Sequence, residues 1–183
     1  MDDTTEIVVE AEPLVVAEPV AAAVVERFAG SVAVDSLGQS VVHVPRDSWR
    51  DVVAYLRTEE RFTQCSDVTA VDHLVDAERI VVDGVTPERF EVVANFLSHP
   101  RNRRIRLIAQ VPADDPRIAS ITPEYPGAGF PEREVYDLLG IVFDGHPDLT
   151  RILMPDDWEG HPLRKDDVDA RIPVTFKADP GPR

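Results

Sequence analysis

Apolar positions change their spacing several times along the chain, and each change marks an element. Val20 to Phe28 is rich in Ala, Val, Glu and Arg, which predicts a short helix ending at Gly30. Val32 to Val34 and Val41 to Val44 are branched apolar runs flanking Asp35-Ser36-Leu37-Gly38-Gln39-Ser40, the pattern of a β-hairpin. Trp49, Val52, Val53 and Leu56 follow i, i+3, i+4, i+7 spacing and predict an amphipathic helix capped by Asp47 or Ser48. Phe62 to Asp76 alternates polar with apolar residues and predicts a strand, with Arg79 to Asp83 also β-rich. Pro87 to Leu97 fits a strand or a helix by pattern alone. Arg104 to Val111 alternates Arg with Ile or Leu, as a half-buried antiparallel strand does. Pro112 to Pro126 is a Pro-rich connection with Ile118 to Ile121 as a short packed element, and Pro126-Gly127-Ala128-Gly129 is a hinge.

The stretch that organises the rest is Phe130 to Asp166, where periodicity holds for one short helix and is lost after Gly140. Pro131 starts a helix, because it lacks only an N–H that the first turn leaves unpaired. Glu132 and Glu134 suit the positive end of the helix dipole. Val135, Leu138 and Leu139 form a narrow apolar stripe, and Gly140 ends the helix in a left-handed conformation. Beyond it, Gly145-His146-Pro147 and Gly160-His161-Pro162 punctuate a segment without regular structure. The segment is too apolar for disorder and too irregular to build its own core, so it reads as a docking surface for another protein.

Together these elements predict an α+β fold: a mixed, mostly antiparallel sheet of about four to six strands with helices on one face. An extended C-terminal partner-binding segment follows. The division expected is a flexible acidic arm over residues 1–19, an α+β domain over 20–129, and a helix with an extended docking segment over 130–183. The tail after Arg171 reads as extended along a surface or mobile.

Composition narrows the classes. No apolar run approaches the roughly 20 residues of a membrane-spanning helix, and the start, with Asp2, Asp3 and Glu6, is unlike a secretory signal. The net charge of −15, from 34 acidic and 19 basic residues, disfavours nucleic acid and direct adhesion to anionic lipid. Arg101, Arg103, Arg104 and Arg106 are either a solvated hairpin end or a dock for an acidic partner surface. Cys65 is the only cysteine, so this chain alone builds neither a disulfide nor a thiolate-ligated cluster.

Candidate chemistry is sparse. His146 and His161, with Asp144, Asp148, Asp156 and Asp157, invite a metal site; the competing reading has each imidazole bonding backbone at a Pro-limited turn. Glu132 and Glu134 do not share a helix face, which argues against a catalytic carboxylate pair. Arg133 suits bidentate ion pairs across an interface. Trp158, Ile152, Leu153, Met154 and Leu163 resemble interface anchors, with Arg164 and Lys165 as a charged rim. Asp67 and Asp72 read as solvated carboxylates at the ends of a strand.

The string EREVYDLLGIVFDGHPDLTRIL followed by DWEGHPLRKD resembles the signature of the 30-kDa subunit of respiratory complex I, the proton-pumping NADH–quinone oxidoreductase, known in bacteria as its C subunit. DVTAVDHL, at Asp67 to Leu74, resembles that family more loosely, and the likeness spans roughly Asp67 to Asp167. Phe130 stands where many members carry Trp, and Leu138-Leu139 where Met-Phe is common. The resemblance implies that RFEVVANFL is a strand, turned at Ser98-His99-Pro100.

It further implies a subunit of the peripheral arm that is not itself catalytic and binds no metal or cofactor, with FMN, iron–sulfur clusters and quinone held by partner subunits. The partners implied are the large quinone-module subunit and neighbouring cluster-bearing subunits, on the cytoplasmic side of the cell membrane and touching the membrane only indirectly. The interface residues implied are Glu132, Arg133, Glu134, Tyr136, Asp137, His146, Pro147, Asp148, Leu149, Arg151, Trp158, His161, Pro162, Leu163, Arg164, Lys165 and Asp166. The alternatives are a related subunit of a membrane-bound hydrogenase or F420-linked dehydrogenase, or a stand-alone His/Asp metal hydrolase.

Overall fold

Alternation of apolar and polar residues gives the two central strands their two-sidedness, and the rest of the molecule is arranged on the apolar side. A computed structural model describes residues 19–167; the rest of the expected acidic arm and the tail after Arg171 lie outside the described residues. The elements are α1 (Pro19–Arg27), β1 (Val32–Ser36), β2 (Gln39–Val44), α2 (Trp49–Thr58), β3 (Gln64–Asp72), β4 (Phe90–Ser98), β5 (Arg103–Val111), β6 (Arg117–Ala119), α3 (Gly129–Leu139) and β7 (Val142–Asp144). Five strands form one sheet in the order β1-β2-β5-β4-β3. All neighbours are antiparallel except β2 and β5, and β6 and β7 make a separate parallel pair.

Phe90, Val92, Ala94 and Phe96 on β4 stand opposite Val111, Ala109, Leu107 and Ile105 on β5. All eight are buried and share a core with Trp49, Val52, Val53 and Leu56 of α2. The α+β reading therefore stands, with a mostly antiparallel five-stranded sheet. The segment that pattern alone left open is a strand, β4. Its buried positions alternate with period two because one face meets the core while the other is only half-covered.

Four local expectations are corrected. Arg79 to Asp83 forms no strand: it belongs to a loop whose Arg79 guanidinium reaches Glu88 O at 2.6 Å and Glu91 and Gln110 at 2.7 Å. Those bonds fasten the loop to the open face of the sheet in place of a ladder. The first hairpin turns on two residues rather than six. Leu37 and Gly38 take φ of +53° and +79°, the left-handed pair whose twist suits adjoining strands. Neither Asp47 nor Ser48 caps α2 by a side-chain bond, because a short 3-10 turn over Arg46–Ser48 leads into it. Finally, α3 begins at Gly129, which places Pro131 third in the helix, still within the turn that lacks backbone acceptors for its N–H groups.

The boundary expected at 129/130 does not separate two cores. Val135 and Leu139 of α3, with Ile141 and Phe143 after it, belong to the same apolar cluster as the sheet. The expectation that this stretch is too irregular to serve the chain's own core is corrected here. α3 packs against β3, the outermost strand on its side, and brings the irregular segment 145–167 with it.

Candidate docking surface

Two buried carboxylates on α3 determine how the irregular segment is held. The first is Asp137, fully buried, whose Oδ2 accepts backbone N–H groups from Ile152 (3.0 Å), Leu153 (2.7 Å) and Met154 (2.9 Å). Its Oδ1 accepts from Arg151 at 2.7 Å. Burial pushes this carboxyl upward, but four donors outweigh it and hold the group down at about 2. Three successive amides converging on one oxygen fold residues 151–154 into a tight turn. Ile152 and Leu153 are left facing outward, Leu153 with 59% of its surface exposed.

The second is Glu132, whose Oε1 accepts the Ile121 N–H at 2.7 Å and whose Oε2 accepts the Ser120 hydroxyl at 2.6 Å. Burial raises this carboxyl above the ordinary glutamate range, with the two hydrogen bonds and the nearby His146 pulling the other way. His146 Nε2 lies 4.0 Å from Glu132 and donates to Gly129 O at 3.0 Å, while its Nδ1 accepts the Asp148 N–H.

Gly140 ends α3 in the left-handed region at φ +71°, as the sequence requires. It is also a seat. A Cβ there would stand 2.5 Å from both His161 and Arg164. His161 Nδ1 is 3.0 Å from Asp137 O, and Arg164 Nε donates to Leu139 O at 2.6 Å. The second Gly-His-Pro triplet and the Arg after it thus satisfy carbonyls that the helix end leaves without partners.

Farther on, the Lys165 N–H and the Arg89 guanidinium both donate to Asp72, which is buried at the end of β3. Arg89 also grips Asp166. Of the two strand-end carboxylates, Asp72 is this hydrogen-bonding hub and Asp67 is exposed.

These contacts turn several of the expected interface residues inward. Glu132 and Asp137 are enclosed by their own chain, which leaves neither carboxylate open to a partner. Arg133 spends its fork internally, on Thr150 O and Oγ1 and on Arg151 O, and Arg151 spends its own on Asp137 and Gly160 O. Tyr136 stacks edge-on against His161, and Leu149 packs on the core. Pro162 and Trp158 are half-buried, the Trp158 indole N–H having no partner among the described residues. Glu134, Pro147, Asp148, Leu163, Lys165 and Asp166 are exposed.

Among these exposed charged residues the segment also presents large apolar side chains outward: Leu153, Leu163 at 52% exposure, Ile152 and, at the start of α3, Phe130. Among the described residues no group of three or more His, Cys, Asp or Glu is placed to hold a metal ion. Burial pushes the Cys65 thiol up to about 12, so it is not a thiolate at neutral pH. Arg89, Ser120 and Gly140 as a seat escaped the sequence reading. Only the left-handed stop at Gly140 carried a signal that pointed near them.

The segment so held lies inside the match to a family model, described as the respiratory-chain NADH dehydrogenase 30 Kd subunit, over residues 42–171. The chain belongs to that family. A Salinispora arenicola protein named as the C subunit of NADH-quinone oxidoreductase is 44% identical over 142 residues, which cover 76% of this chain and 54% of that one. This chain spans about half the length of that relative and of three others similarly named. A Methylococcus capsulatus protein named as the C/D subunit of NADH-quinone oxidoreductase is 39% identical over 155 residues, 82% of this chain and 26% of its own. Among solved structures, a trypsin-resistant fragment of Nqo5 superposes with a TM-score of 0.59 at 36% identity, covering 66% of this chain and 90% of the fragment. Membership in the 30-kDa subunit family, expected from the signature, is thereby established.

Proposed function

We propose that this member of the 30-kDa subunit family is a non-catalytic scaffold in the peripheral arm of an NADH–quinone oxidoreductase. The complex passes electrons from NADH through FMN and iron–sulfur centres to a quinone and couples that transfer to proton translocation. On this reading the cofactors reside in partner subunits, and the chain reaches the cytoplasmic side of the membrane only through them. No described helix is long and apolar enough to cross a membrane.

The observation that carries the proposal is the outward display of Ile152, Leu153 and Leu163 on a segment whose backbone is fastened from within by Asp137 and Asp72. Exposed aliphatic residues on a tightly fixed loop are the kind of surface a stable partner covers. The partner proposed is the large quinone-module subunit. The relative named as a C/D subunit supports that choice, since two units joined in one chain share one assembly. A membrane-bound hydrogenase or an F420-linked dehydrogenase is not better supported, and a stand-alone metal hydrolase finds no ligand cluster among the described residues.

The test is purification of the native complex from membranes through a tag on this chain, with each co-purifying subunit identified. NADH–quinone reductase activity and the large subunit should accompany it. Recovery of the chain alone, carrying stoichiometric metal needed for hydrolytic turnover, would refute the scaffold reading.

A further inference from the structure

β3 is the outermost strand of the sheet on the α3 side. It pairs with β4 alone, and its outward backbone groups between residues 67 and 70 have no backbone partner among the described residues. α3 packs alongside it. Between them lies a groove of about 120 Å3, lined by residues 67–70 of β3 on one side and by Val135, Leu138, Leu139 and Leu163 on the other. Asp67 and Glu134 stand at this groove; both are exposed, and neither side chain has an ion pair among the described residues.

We infer that this groove takes an extended segment of the large partner subunit, one carrying an aliphatic side chain and a Lys or Arg. The inference rests on the docking reading above and names a second contact within it. Three features select the occupant. An unpaired strand edge is completed by another extended chain, through main-chain hydrogen bonds. At about 3.3 Å per residue, four residues of such a chain match residues 67–70 of β3. The apolar wall admits an aliphatic side chain pointing toward α3, and two uncompensated carboxylates select a cation from a partner rather than another acidic surface. Leu163 belongs both to the groove and to the segment proposed to dock, so the two contacts are continuous.

The test is hydrogen–deuterium exchange over residues 64–72 of the full chain, alone and bound to the co-expressed large subunit. It is read beside the variant Asp67→Lys/Glu134→Lys. Binding should slow exchange in that strand by about tenfold or more, as expected when edge amides gain partners. The double variant should bind about tenfold more weakly, with unchanged circular dichroism. Binding with unaltered exchange, or with undiminished affinity in the double variant, overturns the groove assignment and leaves the docking reading standing. Slow exchange already present in the isolated chain overturns it too. Loss of that protection on removing residues 168–183 would make the chain's own tail the occupant, and its dependence on protein concentration would make it a second copy. Failure to bind the large subunit at all overturns both readings.

Discussion

Asp137 and Arg151 meet at 2.7 Å in the interior of the C-terminal segment, and this pair converts an irregular stretch into a fixed surface. The three backbone amides that share the Asp137 carboxylate make it the hub of residues 151–154. Asp137→Ala leaves those donors and the Arg151 charge without their acceptor. It should cost about 3–5 kcal/mol, the range for breaking a buried pair from one side. Chemical denaturation measures the loss, and amide exchange in residues 151–154 should rise with it.

The same carboxyl sets an acid limit. Its folded value of about 2 lies below the roughly 3.9 of an unfolded aspartate, so the group adds stability wherever both forms are ionised. That stability, roughly 2–3 kcal/mol by linkage, is present above about pH 4 and is lost as pH falls toward 2. Denaturant midpoints measured between pH 2 and 6 should show the fall, and Asp137→Asn should flatten it.

Glu132 carries the opposite sign. Its folded value is raised by burial, so the charged form opposes folding, and stability from this site declines as pH rises from the ordinary glutamate range toward the raised folded value. Glu132→Gln keeps an acceptor for Ile121 N–H and a group that Ser120 can meet, without a buried charge. At pH 7 it should match or exceed the native melting temperature, whereas Glu132→Ala should cost about 1–3 kcal/mol by stranding the buried Ile121 N–H and leaving Ser120 with Thr122 as its remaining hydroxyl partner. Equal destabilisation by both variants would show that the charge itself is required.

Gly140 tests how the second Gly-His-Pro triplet is seated. Any side chain there meets His161 and Arg164 at 2.5 Å and must also hold φ near +71°. Gly140→Ala should cost about 1 kcal/mol for the backbone alone and more for displacing two side chains pinned to the helix end. Calorimetry gives the cost, and increased protease cleavage in residues 160–167 would report the detachment.

Much of the fold was legible because it rests on period. β5 alternates Arg with Ile and Leu, α2 carries four apolar residues on one stripe, and both elements appear where the spacing puts them. Arg79 to Asp83 misled because branched apolar residues in a loop look like a strand until a distant partner is known. Here Glu91 and Gln110 hold the loop, and neither is near it in sequence. The docking segment was legible as a motif but not as a mechanism. Glu132, Arg133 and Asp137 read as surface charges, and only tertiary structure reveals Ser120, Thr150 and the amides of 152–154 as their partners. Asp72 and Arg89 are 17 positions apart, and no local pattern joins them.

The affinity of the full chain for the co-expressed large subunit, measured for the native sequence and for Ile152→Asp/Leu153→Asp, tests the docking claim most directly. Both side chains are exposed, so the variant should keep its fold by circular dichroism while binding weakens by about a hundredfold, as for paired interface anchors. Undiminished affinity in a folded variant would contradict the account.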